Sequence, residues 1–415
     1  MNPSDLIHFC PPGRLIIGTG ARAQLPALVH HLGWKKGVIV TDKFFTAHTP
    51  WVREYIDAAQ ALGIETRVFD GGAPDPSTTL CDAATKTLLE GNYQPDHLIA
   101  LGGGSNIDLA KGLCLTLPTN RRIHDFVAGV PEGVRPLPLV AVPTTAGTGS
   151  EATPGAIMID PENATKVAVM DNSLRPAIAL VDPELTYTCP PRVTGDSGID
   201  AFTHAIESYI TQDSTEFDRA GSPDPGYSGR STLTMMFARE AVSLCAKYLK
   251  RTYVNGSDTE ARCGMAYASN YAALSYGSSG LHAVHGLAYA VAGLTHRSHG
   301  STNAVMLPYV LDNLRDVREK ELAEVAGIFG IQAATPAKAA SLLAVAVRDL
   351  VAALDLPTTL HDFGIAQEQL PRLIEDGLQV TRLAKAFPKA DVKGAYTSIV
   401  HNAWAGVLSG ETARA

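Results

Sequence analysis

Four of the chain's thirteen histidines fall in one short segment, GLHAVHGLAYAVAGLTHRSHG, which runs from Gly280 to Gly300. They form two pairs of equal spacing, His282 with His296 and His285 with His299. Each pair is about four helical turns apart, so either could face one way on an unbroken helix. About eighty residues earlier, GDSGIDAFTHAIESYI places Asp200 and His204 four apart. At that spacing two side chains share a helix face, about 6 Å apart at Cβ. An isolated Asp-x3-His pair more often makes a local hydrogen bond than a ligand set. The second histidine cluster changes the balance, because one carboxylate and two or three imidazoles suit Fe2+, Zn2+ or a similar ion. Spacing alone leaves open which histidine pair takes part.

A second chemistry is written in the first half. ALGGGSNIDLAKG (100–112) puts Gly102, Gly103 and Gly104 at the end of an apolar run, followed by Ser105 and Asp108 in S-x-x-D spacing before a helix. Glycines let a backbone approach a pyrophosphate, and a helix N-terminus offers free N–H groups and a positive dipole end. The string is not G-x-G-x-x-G, and a glycine-rich turn alone is a weak signal whose less favoured reading is a plain structural turn. AVPTTAGTGSE (141–151) adds the hydroxyls of Thr144, Thr145, Thr148 and Ser150 after another apolar run, suited to phosphate or ribose or simply to a capped turn. Asp42 ends GVIVTD; there a carboxylate can accept from a ribose 2′-hydroxyl and repel a 2′-phosphate, or else cap a helix.

These groups need elements to hold them. The runs at 37–42, 66–71, 97–105, 137–145 and 178–183 read as strands, several apolar throughout as in a parallel sheet buried on both faces. Helical stretches such as DAATKTLLEG lie between them, the pattern of a layered α/β domain. After Pro190-Pro191 long helical patterns dominate, as in TPAKAASLLAVAVRDLVAALDL, where Leu343, Val347, Leu350, Val351 and Leu354 recur at helical spacing. The expected division is 1–190 as the α/β domain and 191–415 as an all-helical domain. The Ser-, Gly-, Pro- and Asp-rich stretch 211–231 reads as a loop or insertion.

Length and charge bound the rest. A chain of 415 residues exceeds the usual size of one growing core, so two domains are expected. A net charge of −8 argues against nucleic acid or an anionic membrane as partner. Six scattered cysteines without a CxxC pair fit neither a zinc knot nor a disulfide framework and suit a reducing compartment. The N-terminal residues lack the pattern of a secretory signal, and no apolar run is long enough to span a bilayer. The expectation is a cytoplasmic protein.

Taken together, GGGSNIDLAKG, PTTAGTGSE, GIDAFTHAIESYI and VHGLAYAVAGLTHRSHG, in this order and spacing, resemble the iron-dependent (group III) alcohol dehydrogenases. The resemblance extends from about Phe9 to HNAW (401–404). It implies an N-terminal dinucleotide-binding α/β domain and an all-helical C-terminal domain, the dehydroquinate synthase-like fold, with an active site in the cleft between them. It implies that a metal, Fe2+ or another divalent ion such as Zn2+, is held by Asp200, His204, His285 and His299, leaving His282 and His296 as bystanders. It implies a pyrophosphate on Gly103, Gly104 and Ser105 beside Gly102, with Asp108 nearby. Thr144, Thr145 and Thr148 would line the cofactor, Lys166 would lie at its ribose end, and Asp42 would favour NAD(H) over NADP(H). The implied reaction is hydride transfer between nicotinamide and a small alcohol or (semi)aldehyde whose oxygen meets the metal acting as Lewis acid. A homo-oligomer, dimer or larger, is expected from the same resemblance.

Two features depart from the family pattern. Many members carry a histidine four residues after the VHG histidine, thought to relay a proton; here that residue is Tyr289, whose phenol ordinarily titrates near 10. One expectation is that His282 or His296 takes over that role. The loop 211–231 is also longer than in the simplest members, as it is among relatives of hydroxyacid–oxoacid transhydrogenases, which retain their cofactor. That enzyme type is the alternative reading, followed by a catalytically inert metal- or nucleotide-binding protein. Glycerol dehydrogenase and dehydroquinate synthase share the fold but fit the four strings less well.

Overall fold

Four apolar runs become the centre of a sheet, and the run at 66–71 becomes its edge. The computed structural model describes residues 6–162 and 165–411. Its strands are β1 (Leu15–Ile17), β2 (Lys36–Val40), β3 (Glu65–Phe69), β4 (His97–Gly102), β5 (Leu139–Pro143), β6 (Gly155–Asp160), β7 (Thr165–Met170) and β8 (Ile178–Val181). Six of them form one sheet in the order β1-β8-β5-β4-β2-β3, with every pair parallel. Val38, Val40, Leu98 and Ala100 face one apolar core, and Ile39, Ile99, Val140 and Val142 face another. Burial on both faces is why these strands are apolar at every position and not at alternate ones.

The chain lays β3 beside β2 and then returns to place β4 on β2's other side. The carboxyl ends of β2 and β4 therefore flank a topological switch point, where open α/β sheets bind their ligands. β6 and β7 form a separate antiparallel hairpin. It is anchored from within by Lys111, fully buried, whose Nζ donates to the carbonyls of Thr153 and Gly155 at 2.8 and 2.7 Å. Burial lowers the Lys111 pKa to about 8, against the pull of Asp108.

The chain folds as two compact units. One is Cys10–Thr188; the other begins at Cys189 and takes in Phe9 and the described residues before it. The second unit is helical. Its principal helices are Pro191–Ile210, Thr232–Val254, Thr259–Ser279, Ala283–Thr295, His299–Asn313, Pro336–Ala352 and Val392–Ala405. Leu343, Val347 and Val351 are fully buried on the Pro336–Ala352 helix, which Thr335 caps by accepting from the Lys338 N–H. The stretch 211–231 contains neither helix nor strand and is closed at its base by Asp213, which accepts from Arg230 and Arg318. None of the described helices is long and apolar enough to cross a membrane, and all six cysteines are free thiols.

Three local features of the structure go beyond the sequence pattern. The Asp200 helix starts at Pro191, so Gly195, Asp196 and Ser197 lie inside its first turns and do not cap it. Proline at a first helical position needs no N–H partner, which makes the earlier start favourable. The glycine-rich helix, Gly104–Thr119, begins at Gly103 without a side-chain cap, so Ser105 and Asp108 form no capping box. The histidine segment is two helices, because the chain turns left-handed at His296 (φ 53°).

Candidate functional site

The break at His296 decides which histidines meet. Asp200 and His204 stand on the Pro191–Ile210 helix, His285 lies in the first turn of Ala283–Thr295, and His299 is the first residue of His299–Asn313. Asp200 Oδ1 lies 3.8 Å from His204 Nε2, 3.6 Å from His285 Nε2 and 3.7 Å from His299 Nε2. These separations are too long for hydrogen bonds and nearly equal. A tetrahedral shell with bonds of about 2.1 Å has edges of about 3.4 Å, close to each of the three separations measured from Asp200 Oδ1. The ligand atoms of Asp200, His204 and His285 all lie within 4.8 Å of one another. His299 stands at the rim, with 29% of its side chain exposed where the Asp200 side chain shows 4%.

Their neighbours fix these side chains. Glu207, fully buried one turn beyond His204, accepts from His285 Nδ1 and from the Val284 N–H at 2.7 Å. With Nδ1 engaged, the Nε2 lone pair points at the cluster, the arrangement carboxylate–histidine–metal sites use. One turn before Asp200, Asp196 Oδ1 accepts from the Ser301 N–H at 2.8 Å and from Ser298 Oγ at 2.5 Å, tying the start of the His299 helix to the Asp200 helix. His204 is stacked between Tyr276 and His285, at 4.2 and 4.7 Å. Asn303 Nδ2 donates to Asp200 Oδ1 at 2.8 Å and lies 3.2 and 3.3 Å from the Nε2 atoms of His285 and His299.

Charge tells the same story. Burial opposes ionisation of Asp200, yet the surrounding imidazoles hold its carboxyl well below the usual range. Burial also opposes charge on His285, but Glu207 and Asp200 outweigh it and push its pKa up to about 10. Both shifts express a demand for positive charge that a divalent cation meets.

His282 and His296 sit elsewhere. His282 is fully buried, with Nδ1 3.1 Å from Glu207 Oε1 and its ring near Phe387; burial lowers its pKa to about 4. His296 is an exposed C-cap. The imidazoles ranged around Asp200 Oδ1 are those of His204, His285 and His299. The place next to His299 belongs to Tyr289, whose ring stacks on it at 5.6 Å.

In the Cys10–Thr188 unit the nucleotide candidates gather at the switch point. Gly102 has φ +152°, and a Cβ there would lie 2.1 Å from Asn106 Nδ2, so only glycine fits. A Cβ on Gly104 would lie 2.6 Å from Thr148, and one on Gly103 would lie 3.5 Å from Thr145, which brings the threonine loop against the glycine turn. The Thr144 N–H donates to the Gly102 carbonyl at 3.0 Å. The uncapped first turn of the Gly104–Thr119 helix is suited to an anion. Asp42 accepts from the Phe44 N–H at 2.9 Å and from Asn106 Nδ2 at 2.8 Å, so it caps a helix and bridges β2 to the glycine-rich helix at once. Ser105 Oγ accepts from the Asp75 N–H at 3.2 Å, and Asp75 pairs with Lys166 Nζ at 2.8 Å. Asp108 turns inward instead, accepting from the Ile157 N–H at 3.0 Å, and burial raises its pKa.

Sequence reasoning passed over Glu207, Asn303, Asp75, Asn106 and Asp196. Glu207 carried a signal, since it lies seven residues after Asp200 and three after His204 on the same helix. The others depend on pairings between distant segments.

Comparison with known proteins gives the family. The family model for iron-containing alcohol dehydrogenase matches residues 12–183, and the model for the C-terminal part of the Fe-containing alcohol dehydrogenase family matches 227–404. The NAD-dependent methanol dehydrogenase of Bacillus methanolicus is 31% identical over 374 residues, covering 89% of this chain and 93% of that protein. The mitochondrial hydroxyacid-oxoacid transhydrogenase of Bos taurus is 30% identical over 398 residues, covering 90% and 84%. The crystal structure of a 1,3-propanediol oxidoreductase superposes with a TM-score of 0.87 at 26% identity, covering 96% of this chain and all of that one. On motifs, fold and relatives alike, the chain belongs to the iron-containing alcohol dehydrogenase family.

Proposed function

We propose that the protein is a metal-dependent, NAD(H)-linked alcohol dehydrogenase that interconverts a small alcohol and its aldehyde. The observation that carries this reading is Asp200 Oδ1 lying nearly equidistant from three imidazole Nε2 atoms. Asp200, His204, His285 and His299 would hold the metal. When bound, the metal supplies a Lewis acid for the substrate oxygen and the nicotinamide supplies or accepts the hydride. Glu207 keeps His285 turned Nε2-inward, and the packing of Tyr276 and His285 on either side of His204 restrains its ring. Gly102, Gly103, Gly104, Ser105, Thr144, Thr145 and Thr148 offer a pyrophosphate close backbone approach and hydroxyl donors. Lys166 would reach the ribose end, oriented by Asp75, and Asp42 would disfavour a 2′-phosphate. Asp108 would support this loop from behind, through β6.

The test is direct. Protein loaded separately with Fe2+ and Zn2+ is assayed on an alcohol and aldehyde panel with NADH and NADPH, and metal content is measured for Asp200→Ala and His285→Ala. The reading requires metal-dependent turnover, faster with NADH, and loss of bound metal in both variants. Full turnover after chelation would sink it.

The alternative, a transhydrogenase with retained cofactor, draws support from the bovine relative and the long 211–231 loop. Purified protein that carries nicotinamide absorbance and reduces an oxoacid at the expense of a hydroxyacid, with no added NADH, would favour it. The six free thiols fit a cytoplasmic location, and we take the working form to be a homo-oligomer.

A further inference from the structure

Tyr289, found where the resemblance leads one to expect a histidine, brings a cation to the rim of the metal cluster. Its hydroxyl accepts from Arg382 at 3.4 Å, and its ring stacks on His299, the candidate ligand most open to solvent. Arg382 lies on the short helix Thr381–Ala384, whose next residue, Leu383, would lie 3.8 Å from a Cβ placed on Gly286, the residue after His285. A second phenol, Tyr227, also faces the Arg382 guanidinium. Tyr227 comes from the 211–231 loop, and its ring packs on Gly280 (φ +96°) at the head of the histidine segment. Two helices and the inserted loop thus converge on one guanidinium.

That guanidinium is poorly matched by the protein itself. Arginine offers five N–H donors in a planar fork, and phenol oxygens at long range satisfy few of them. Among the described residues no carboxylate lies within ion-pair distance of Arg382; Lys385, one turn on, is the residue that pairs with Asp218. Deeper in, the charges of Asp200 and Glu207 would balance a bound divalent cation. Arg382 thus brings a positive charge with no paired carboxylate among the described residues to the side of the cluster where His299 is partly exposed. A half-buried cation without a counter-ion is costly unless a ligand brings one, and a planar fork beside two phenols suits an oxyanion.

We infer that Arg382, framed by Tyr289 and Tyr227, binds an anionic end group of the substrate, a carboxylate, sulfonate or phosphonate carried beyond the carbonyl carbon. The inference rests on the dehydrogenase reading above and deepens it, making the preferred substrates acidic aldehydes and the corresponding hydroxy acids. It also gives the tyrosine substitution a purpose, because the phenol orients the guanidinium without adding a competing charge.

The test compares aldehydes of matched length that end in carboxylate, sulfonate or phosphonate with methyl-terminated ones, for example 4-oxobutanoate against pentanal, at two to four carbons with NADH. In wild type at least one anionic series should exceed its neutral partner in kcat/KM by about 100-fold. In Arg382→Met that ratio should collapse to within about tenfold, chiefly through KM, and Arg382→Lys should recover part of it. Succinate binding by calorimetry should weaken in parallel in Arg382→Met, with thermal melting of the variants as the control for folding. Neutral aldehydes matching or beating all three anions in wild type, or an unchanged ratio in Arg382→Met, would overturn the anion site while leaving a dehydrogenase. Absence of turnover on neutral and anionic aldehydes alike would instead defeat the dehydrogenase reading on which the inference stands.

Discussion

Glu207 shows how a residue outside the proposed ligand set would govern it. Its carboxylate receives His285 Nδ1 and the Val284 N–H while fully buried, and His282 and His285 keep its pKa low against the burial that would raise it. Glu207→Gln keeps the size and the backbone acceptor but removes the charge that fixes the imidazole. Metal affinity should fall by about 10- to 100-fold, read by chelator competition and elemental analysis. Asp42 makes the complementary case for the cofactor. Its carboxylate caps a helix and holds Asn106, yet its place at the carboxyl end of β2 is where an acid discriminates against a 2′-phosphate. Asp42→Asn should raise the NADPH-to-NADH ratio of kcat/KM at least several-fold, and an unchanged ratio would leave Asp42 as a cap only. At this scale the sequence was readable for the candidate ligand types and much less so for the residues that contact them. Asp200 and His204 announce themselves by spacing. The choice of His285 over His282 came from the resemblance, since equal spacing in the two pairs carries no information. Asn303 and Arg382 could not be found at all, because what gives them meaning is a contact across the fold.

Among elements, the decisive contact is between the Asp200 helix and the His299 helix. A Cβ on Gly300 would stand 1.9 Å from the Asp196 carbonyl oxygen, which is backbone and cannot swing aside. Gly300→Ala should therefore push the two helices apart, costing about 1–3 kcal/mol in denaturant unfolding and weakening metal binding by moving His299. Retention of both stability and metal would show that the helices tolerate the shift. The elements themselves were legible where their patterns were long. The four central strands β8, β5, β4 and β2 were found because burial on both faces leaves uninterrupted apolar runs, whereas β3 is a half-exposed edge strand. The three-residue β1 and the β6–β7 hairpin were not, being too short or too mixed in polarity to stand out from loops. The helical break at His296 was hidden, since no proline marks it and left-handed histidine is uncommon.

For the molecule as a whole, charge and pH enter through the interior of the sheet unit. Lys111 is charged in the unfolded chain up to about pH 10.5, but in the fold its pKa is lowered to about 8 by burial. Between those values the unfolded state binds more protons, so this residue makes stability rise with pH from about 8 to about 10.5; below 8 its effect is flat. Denaturant melts of wild type minus Lys111→Met should thus show a difference that grows across that window, by a few kcal/mol at most. A difference independent of pH would mean that Lys111 titrates normally. The two-unit plan was legible from the change in character after Pro190, where strands alternating with helices give way to helices alone. The acidic net charge sets Arg382, which pairs with no carboxylate among the described residues, in a chain that carries more carboxylates than amines and guanidinium groups.

His299 is the opening residue of its helix and partly exposed, whereas Asp200, His204 and His285 are buried. First turns fray on microsecond or faster timescales without the rest of the fold loosening. Loss of the ion should therefore begin by detachment at this one corner, so that extraction by a strong chelator proceeds many times faster than global unfolding and speeds up further when Asp196→Ala unties the Ser298–Ser301 turn. The enzyme would then be chronically leaky towards its own metal, with occupancy set by supply in the surroundings and not by burial.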